Sequence, residues 1–119
     1  MFKFEKLEIW HESVYLIQLI YILSRKIPYE EKDNLIDQIK RSVTSVSLNI
    51  AEGSGSQNDL EYKRYLYIAK KSLIEVIAIL KIITRLYNIS TEQEEEKCTI
   101  LIKRLSALIK SLRLQAISQ

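Results

Sequence analysis

The chain is poor in cysteine, histidine, glycine and proline, and each shortage excludes a class of protein. Its 119 residues include one cysteine, one histidine, two glycines and one proline. A single cysteine cannot form an internal disulfide, which favours a reducing compartment, and without a Cys/His cluster the usual structural zinc site cannot form. So few turn-forming residues leave almost no material for the tight turns of an all-β fold.

The chain also lacks long uncharged stretches. No uncharged run approaches the roughly 18 residues that a membrane span needs, and residues 1–5 do not open a signal peptide. We therefore expect a cytoplasmic protein that makes no use of a membrane. With 47% apolar and 28% charged residues, the composition predicts one well-packed domain over residues 1–119.

Apolar residues recur at intervals of three and four, which is the spacing of amphipathic helices. We predict four helices at about residues 6–26, 31–52, 58–87 and 91–116. Pro28 closes the first helix and Gly53-Ser54-Gly55 the second, while Asn58 caps the third and Ser90-Thr91 cap the fourth. Short connections force long neighbouring helices to run antiparallel, so the predicted fold is all-α: a single up-down-up-down antiparallel four-helix bundle.

Helix one carries more apolar surface than one partner helix can bury. Two apolar stripes lie side by side along it. The first consists of Leu7, Trp10, Val14 and Ile17, and the second of Leu16, Ile20 and Leu23. We expect this double stripe to pack against a neighbouring protomer as well as the bundle, which predicts a homo-oligomer.

A row of small and polar residues follows one side of helix two. Its members are Gln38, Arg41, Ser42, Ser45, Asn49 and Glu52. One interpretation is a solvated edge, because polar helix faces are usually wet. The other is a partly buried network with Ser72 and Glu75 of helix three, in which Arg41 pairs with Glu75. Such networks fix register and partner choice more than they add stability.

The face of helix three opposite its apolar seam is basic. Cations without an intervening acid fall within an arc of about 120°: Lys63, Arg64, Lys70, Lys71, Lys81 and Arg85. A basic face that includes an aromatic side chain, here Tyr67, suits contacts to nucleic-acid phosphates and stacking on a base. Helix four adds the acid-free set Lys103, Arg104, Lys110 and Arg113. The alternative is an ordinary solvated lysine face.

No pattern in the chain indicates catalysis. His11 has no cysteine or paired carboxylates near it in sequence, and general acid–base chemistry needs a positioned partner. Cys98 lies in an apolar helical seam, which favours a small core side chain. The Gly53-Ser54-Gly55 turn lacks the lysine of a phosphate-binding loop, and there is no Glu-x-x-His pair for a di-iron site. We therefore expect a non-enzymatic protein with no metal and no cofactor.

Three segments are similar to a known bacterial family. They are Leu7-x-Ile9-Trp10 in helix one, Gln38-Ile39-x-Arg41-Ser42 with Asn49-Ile50-Ala51-Glu52-Gly53 in helix two, and Tyr65-Leu66-x-Ile68-Ala69 with Ser72-Leu73-x-Glu75 in helix three. Over almost its whole length the chain resembles the four-helix bundle proteins that are encoded within intervening sequences of 23S ribosomal RNA genes.

That resemblance implies a homopentamer with a central channel. The family also includes the accessory protein of diversity-generating retroelements, which implies nucleic-acid binding and assistance to a reverse transcriptase. Family members often have a glycine at the position of Lys71, so this chain gains a positive charge there. They often have a basic residue just after the glycine-rich turn, where this chain has Ser56-Gln57.

The leading prediction is a non-enzymatic, oligomeric nucleic-acid-binding protein, with RNA favoured over DNA. The basic residues of helices three and four would contact phosphates. The alternative is a protein-interaction or accessory module that docks on a reverse transcriptase or another partner. Its basic face would then meet an acidic protein surface.

Overall fold

The computed structural model describes the backbone of residues 1–118 and the side chains of residues 1–112. It contains α1 at Glu8–Ser24, α2 at Leu35–Ser54, α3 at Asp59–Tyr87 and α4 at Glu92–Ser118. Short 3-10 helices cover Lys3–Lys6 and Tyr29–Glu31. The described backbone has no strand, which confirms the predicted all-α class. No helix within residues 1–118 has the length and hydropathy to cross a membrane.

The four helices pack in a ring, α1 on α2, α2 on α3, α3 on α4, and α4 back on α1. Ser42 of α2 contacts Glu75 of α3, and Ser45 contacts Ser72, so residue numbers rise along one helix as they fall along the other. The same antiparallel pairing joins α3 to α4 and α4 to α1. The order of the bundle is therefore up-down-up-down.

The core is built from the apolar seams of these helices. The sequence predicts an α3 seam of seven residues, of which Leu66, Ala69, Leu73, Val76, Leu80 and Ile83 are buried. The seventh, Tyr87, is partly buried. On α4 they include Cys98, Leu101, Leu105 and Leu112. Burial raises the pKa of the Cys98 thiol to about 12, so the thiol stays protonated at neutral pH. The prediction that Cys98 is a core side chain is confirmed.

Helix α1 buries its apolar surface inside the bundle more completely than the sequence predicts. The second stripe, Leu16, Ile20 and Leu23, is buried, and the first, Leu7, Trp10, Val14 and Ile17, is partly buried. Because α1 packs on both α2 and α4, each stripe has a partner within the chain. The double stripe therefore gives no argument for a neighbouring protomer, and homo-oligomerisation itself stays a prediction.

The connection between α1 and α2 is longer than the sequence predicts. Helix α1 ends at Ser24 instead of near residue 26, because the next three amides bond to carbonyls three residues back, a tighter turn that leads into Pro28. Helix α2 begins at Leu35, not near residue 31. A 3-10 turn occupies residues 29–31 instead, and Tyr87 at the end of α3 donates a hydrogen bond to Glu31 within it.

Candidate nucleic-acid interface

The border between α3 and α4 brings predicted phosphate contacts from both helices together. Lys81 of α3 forms an ion pair with Glu95 of α4 at 2.9 Å, which marks the side of α3 that faces α4. Lys70 precedes Lys81 by three turns and Lys63 precedes it by five, so all three lie within about 20° of one line along the helix. Lys63 and Lys70 therefore also lie on the border with α4.

Lys103 and Lys110 are exposed on α4. In the antiparallel register that the ion pair sets, Lys110 is level with a point between Lys63 and Lys70, and Lys103 lies just beyond Lys70. Lys103 and Lys110 lie about 60–80° around α4 from Glu95, on the outward side of the border. In height the four lysines thus alternate between the two helices over about ten residues, or about 15 Å along the helix axes. We call Lys63, Lys70, Lys103 and Lys110 the lysine track. The predicted contact Arg113 lies outside the residues whose side chains are described.

The lysine track has no acid among its members. Residues 62–74 of α3 and residues 97–119 contain no Asp or Glu. Glu75, the next acid along α3, lies on the other side of that helix, where it accepts a hydrogen bond from Ser42 of α2. Within residues 1–112 none of the four lysines forms an ion pair. Their positive charge is therefore available to an anionic ligand.

Two other predicted phosphate contacts are bonded within the bundle. Lys81 holds Glu95, and hydrogen bonds from Lys81 and then Thr91 lower the pKa of that carboxyl group, so the Glu95 carboxylate is ionised at neutral pH. Arg104 lies on the opposite side of α4, where it bonds to Glu12 of α1. Sequence reasoning could not separate these two cations from the others, because their partners are on different helices.

The remaining basic residues of α3 are exposed on its outward face. They are Arg64, Lys71 and Arg85. The guanidinium of Arg64 lies 5.8 Å from the centre of the Tyr65 ring, close enough for a cation–π contact. Tyr67 is also exposed on this face. The outward face of α3 thus extends the positive surface beyond the lysine track.

Sequence reasoning missed an apolar stripe that shares this outward face. Its members are exposed in the structure: Tyr67, Ile68, Ile74, Ile82 and Leu86. The sequence does contain a signal for this stripe, because apolar residues such as Tyr67 and Ile74 fall within the basic arc. The charge of the arc alone does not indicate that these apolar side chains are exposed. Large apolar side chains exposed along one helix face are typical of protein–protein contact surfaces.

A polar seam joins α2 to α3. The Ser42 hydroxyl donates to the Glu75 carboxylate, and the Ser45 and Ser72 hydroxyl oxygens lie 3.0 Å apart. Asn49 donates from Nδ2 to the Ser45 hydroxyl at 3.0 Å. We call these five residues the polar seam. The structure thus brings five of the predicted network residues into contact, while their role in specificity stays a prediction.

The expected pair between Arg41 and Glu75 does not form. Arg41 is exposed and lies 3.4 Å from Asp37, one turn earlier on α2. Ser42 follows Arg41 by about 100° of rotation, which brings its short side chain to the border with α3. The hydroxyl group therefore occupies the position beside Glu75 that the sequence assigned to the guanidinium.

The two ends of the predicted polar row lie in solvent. Gln38 is exposed and donates from Nε2 to Asn34 Oδ1 at 2.8 Å. Glu52 is exposed near the end of α2. For Gln38 and Glu52 the solvated-edge interpretation describes the structure.

The single histidine has a local partner. His11 Nε2 lies 2.7 Å from the backbone oxygen of Glu5, and the ring meets Trp10 edge to face at 5.1 Å between centroids. A backbone carbonyl does not titrate, so this contact forms no acid–base pair. Among the described side chains, no group of three His, Cys, Asp or Glu residues is arranged to hold a metal ion.

Comparisons with known proteins identify the family. A solved structure of a protein of unknown function from the S23 ribosomal protein family of Bacteroides thetaiotaomicron VPI-5482 has a TM-score of 0.75 to this chain and 28% sequence identity. The match covers 86% of this chain and 98% of that one. No curated protein matches the chain. Residues 5–111 match the family model described as 23S rRNA-intervening sequence protein, so the chain belongs to that family.

Proposed function

We propose that this is a non-enzymatic, oligomeric nucleic-acid-binding protein of the cytoplasm, and that it binds RNA in preference to DNA. The observation that carries the proposal is the lysine track, in which two helices contribute cations to one acid-free surface. The family is described by an intervening sequence of 23S rRNA, and we propose RNA of that kind as the ligand. Nothing among the described side chains suggests a catalytic constellation.

The proposed binding rests on charge. Lysine ammonium groups that neutralise phosphates release condensed counterions, so the affinity falls as salt rises. This term depends little on base sequence, which fits a surface built from long, flexible lysine side chains. We therefore expect affinity for many structured RNAs.

Fluorescence anisotropy with a labelled, structured RNA and a DNA of matching sequence tests the proposal. Titrations at about 50 mM and about 200 mM salt span the range in which phosphate contacts lose most of their affinity. We expect binding at low salt, tighter for RNA, that weakens steeply at the higher salt. No binding to either ligand at low salt would contradict the proposal.

We also propose that the protein is a homo-oligomer, with a pentamer as the expected state, and that the apolar stripe of α3 forms part of the contact. The stripe supports this because its isoleucine and leucine side chains lie exposed along one helix. Light scattering should give several times the protomer mass of 14.0 kDa, and about five times for a pentamer. A monomer at micromolar concentration would refute the proposal. Ile82→Glu should shift the protein toward monomer, whereas Ile22→Glu on α1 should not.

A second candidate function is a protein-interaction module. The observation that favours it is the same apolar stripe, flanked by Arg64, Lys71 and Arg85. Such a face suits an acidic partner protein such as a reverse transcriptase or its complex. A pull-down that recovers one partner after nuclease treatment, and loses it with Ile74→Glu, would favour this function over nucleic-acid binding.

A further inference from the structure

We propose that the lysine track binds the sugar–phosphate backbone of base-paired RNA, one helix contacting each strand, and that Lys81 and Arg104 take no part in this contact. The inference rests on the proposed nucleic-acid function and names the form of its ligand. It follows from the spacing of the track, from the side chains around it and from the ion pairs of its neighbours.

The spacing of the track matches two strands better than one. Lys63 and Lys70 form a row on α3, and Lys103 and Lys110 form a parallel row on α4. Each row spans two turns of helix, about 10.5 Å, and the axes of packed helices lie about 8–10 Å apart. A duplex presents two backbones across a groove, and the major groove of A-form RNA is narrow. A single strand has one backbone and would follow only one row.

The side chains around the track do not suit stacked single-stranded bases. Proteins that hold single strands interleave cations with aromatic platforms. No aromatic residue occurs from residue 97 to the end of the chain. Tyr67 lies about 40–60° around α3 from the line of Lys63 and Lys70, on the side away from α4. The track therefore offers charge to a backbone and no platform to a base.

Ion pairs within the bundle exclude two cations from the footprint, by which we mean the residues that contact the RNA. Lys81 is bonded to Glu95 and Arg104 to Glu12. For either cation to contact a phosphate, its present bond would have to break, and a carboxylate would then face the RNA. The four lysines of the track have no such partner within residues 1–112. Four phosphate contacts predict a slope of about −3 to −4 for the logarithm of affinity against the logarithm of salt.

The test compares two RNA probes of equal length with the full-length protein. One is a hairpin whose stem exceeds one helical turn, and the other is an oligomer that cannot pair. Anisotropy titrations over a series of salt concentrations give the affinity and the slope for each. We expect tighter binding to the hairpin, with the slope stated above. Equal or tighter binding to the unpaired oligomer would overturn the inference.

Three variants locate the footprint. Lys70→Gln/Lys110→Gln removes one lysine from each row and should reduce the size of the slope by about 2, since each phosphate lysine contributes about 1. Lys26→Gln/Lys32→Gln, at the other end of the bundle, removes the same net charge and should leave the slope unchanged. Lys81→Gln should also leave the slope unchanged. Circular dichroism of each variant checks that the fold is kept.

The outcomes separate this inference from the proposed function. If the unaltered protein binds neither probe at low salt, the proposed function fails, and this inference fails with it. If it binds the hairpin but Lys70→Gln/Lys110→Gln keeps the full slope, the function stands and the footprint is wrong. If Lys81→Gln reduced the slope as much as Lys70→Gln/Lys110→Gln does, the footprint would likewise be wrong, because the RNA contact would then extend to Lys81.

Discussion

The two sides of α3 meet their neighbours through different chemistry. Toward α2 the polar contacts are made by the polar seam, in which every side chain but Glu75 is short. The helices come so close that a Cβ on Gly53 would lie 2.9 Å from Tyr65 Cβ. Toward α4 the border is lined by long charged side chains. Lys81 reaches Glu95 near one end of that border, and the lysine track follows at the other.

This difference separates stability from ligand binding. Short side chains lose little rotamer freedom on burial, and their hydrogen bonds form only when the helices are close, so we predict that the α2 side fixes the distance and register of the two helices. Lysine side chains keep their rotamer freedom when nothing pairs with them, and ordering them costs more conformational entropy than ordering short side chains. The α4 side can therefore carry a charged surface without depending on it for the fold.

The largest expected effect is that of Gly53→Ala on the α2 side. The added Cβ would press on Tyr65 Cβ, which is fixed to the α3 backbone and cannot rotate away. Because that atom cannot move without the helix, overpacking should cost about 3 kcal/mol or more, offset in part by about 1 kcal/mol of helix propensity. Urea unfolding should show a clear net loss. Gly55→Ala is the matched control, because its Cβ would meet nothing closer than 3.6 Å. Equal stability of the two variants would refute the close approach.

Thr91→Val should have the next largest effect, at the turn between α3 and α4. The buried Thr91 hydroxyl lies 2.9 Å from Thr84 Oγ1 and donates to Glu95 at 2.7 Å. Losing these bonds at the start of a helix should cost about 1–2 kcal/mol, measured by thermal unfolding. Thr99→Val, on the exposed surface of α4, should change stability by less than about 0.5 kcal/mol. An equally small loss for Thr91→Val would mean that the turn does not anchor α4.

Lys81→Gln and Arg104→Gln should have smaller effects. Both ion pairs are partly exposed to solvent, with Lys81 the most exposed of the four side chains at 67% and Glu95 the least at 24%, and pairs that solvent reaches are worth about 0–1 kcal/mol. We expect a slight loss of stability at low salt that disappears at high salt, because screening removes it. Lys70→Gln in the lysine track should not lower stability at either salt. A larger loss for Lys70→Gln than for Lys81→Gln would show that the track supports the fold.

The smallest expected effect is a pH dependence at the end of the bundle. The hydrogen bond from Tyr87 holds the pKa of Glu31 below 4.5, so its contribution is present above about pH 4.5 and is lost as the pH falls through the lowered value. The Glu31 carboxylate in turn raises the pKa of Tyr87 from 10.0 to about 12. That contribution is present below about pH 10 and is lost as the pH rises toward 12.

Thermal unfolding of the wild type and Tyr87→Phe across this pH range measures the effect. The wild type should be slightly the more stable near neutral pH, and the difference should disappear at both extremes. Tyr29→Phe is the control, because the exposed Tyr29 hydroxyl accepts a hydrogen bond from Lys32, a near neighbour in sequence. A difference between wild type and Tyr87→Phe that does not vary with pH would contradict the proposed linkage.

Much of the fold could be predicted from local patterns. The apolar seam of α3, the Asn58 cap and the core position of Cys98 agree with the structure, because helix periodicity and capping involve residues within one or two turns. Asn58 Oδ1 accepts a hydrogen bond from the Glu61 amide at 2.8 Å, as the cap requires. The predicted start of α2 was wrong. A 3-10 turn covers Tyr29–Glu31 instead, and Glu31 within it accepts a hydrogen bond from Tyr87, a residue far along the chain.

Less of the candidate site than of the fold could be predicted from local patterns. Sequence indicated that α3 is basic, yet the pairing of Arg41 with Glu75 was wrong, and the apolar stripe of α3 was missed. Helix periodicity places a residue on a face to within about one position, and that uncertainty is enough to exchange Arg41 for Ser42. Exposure depends on which neighbouring helix covers a face, and that information is not local.

The sequence by itself determined four amphipathic helices, their apolar seams and an excess of positive charge after residue 54, because spacing and composition are properties of short segments. The tertiary structure alone decided which charges are neutralised and which lie together. Lys81 meets Glu95 and Arg104 meets Glu12 only because the helices pack antiparallel in one register. The same register sets Lys63 and Lys70 beside Lys103 and Lys110, some forty residues away, and so forms the surface on which the proposed function depends.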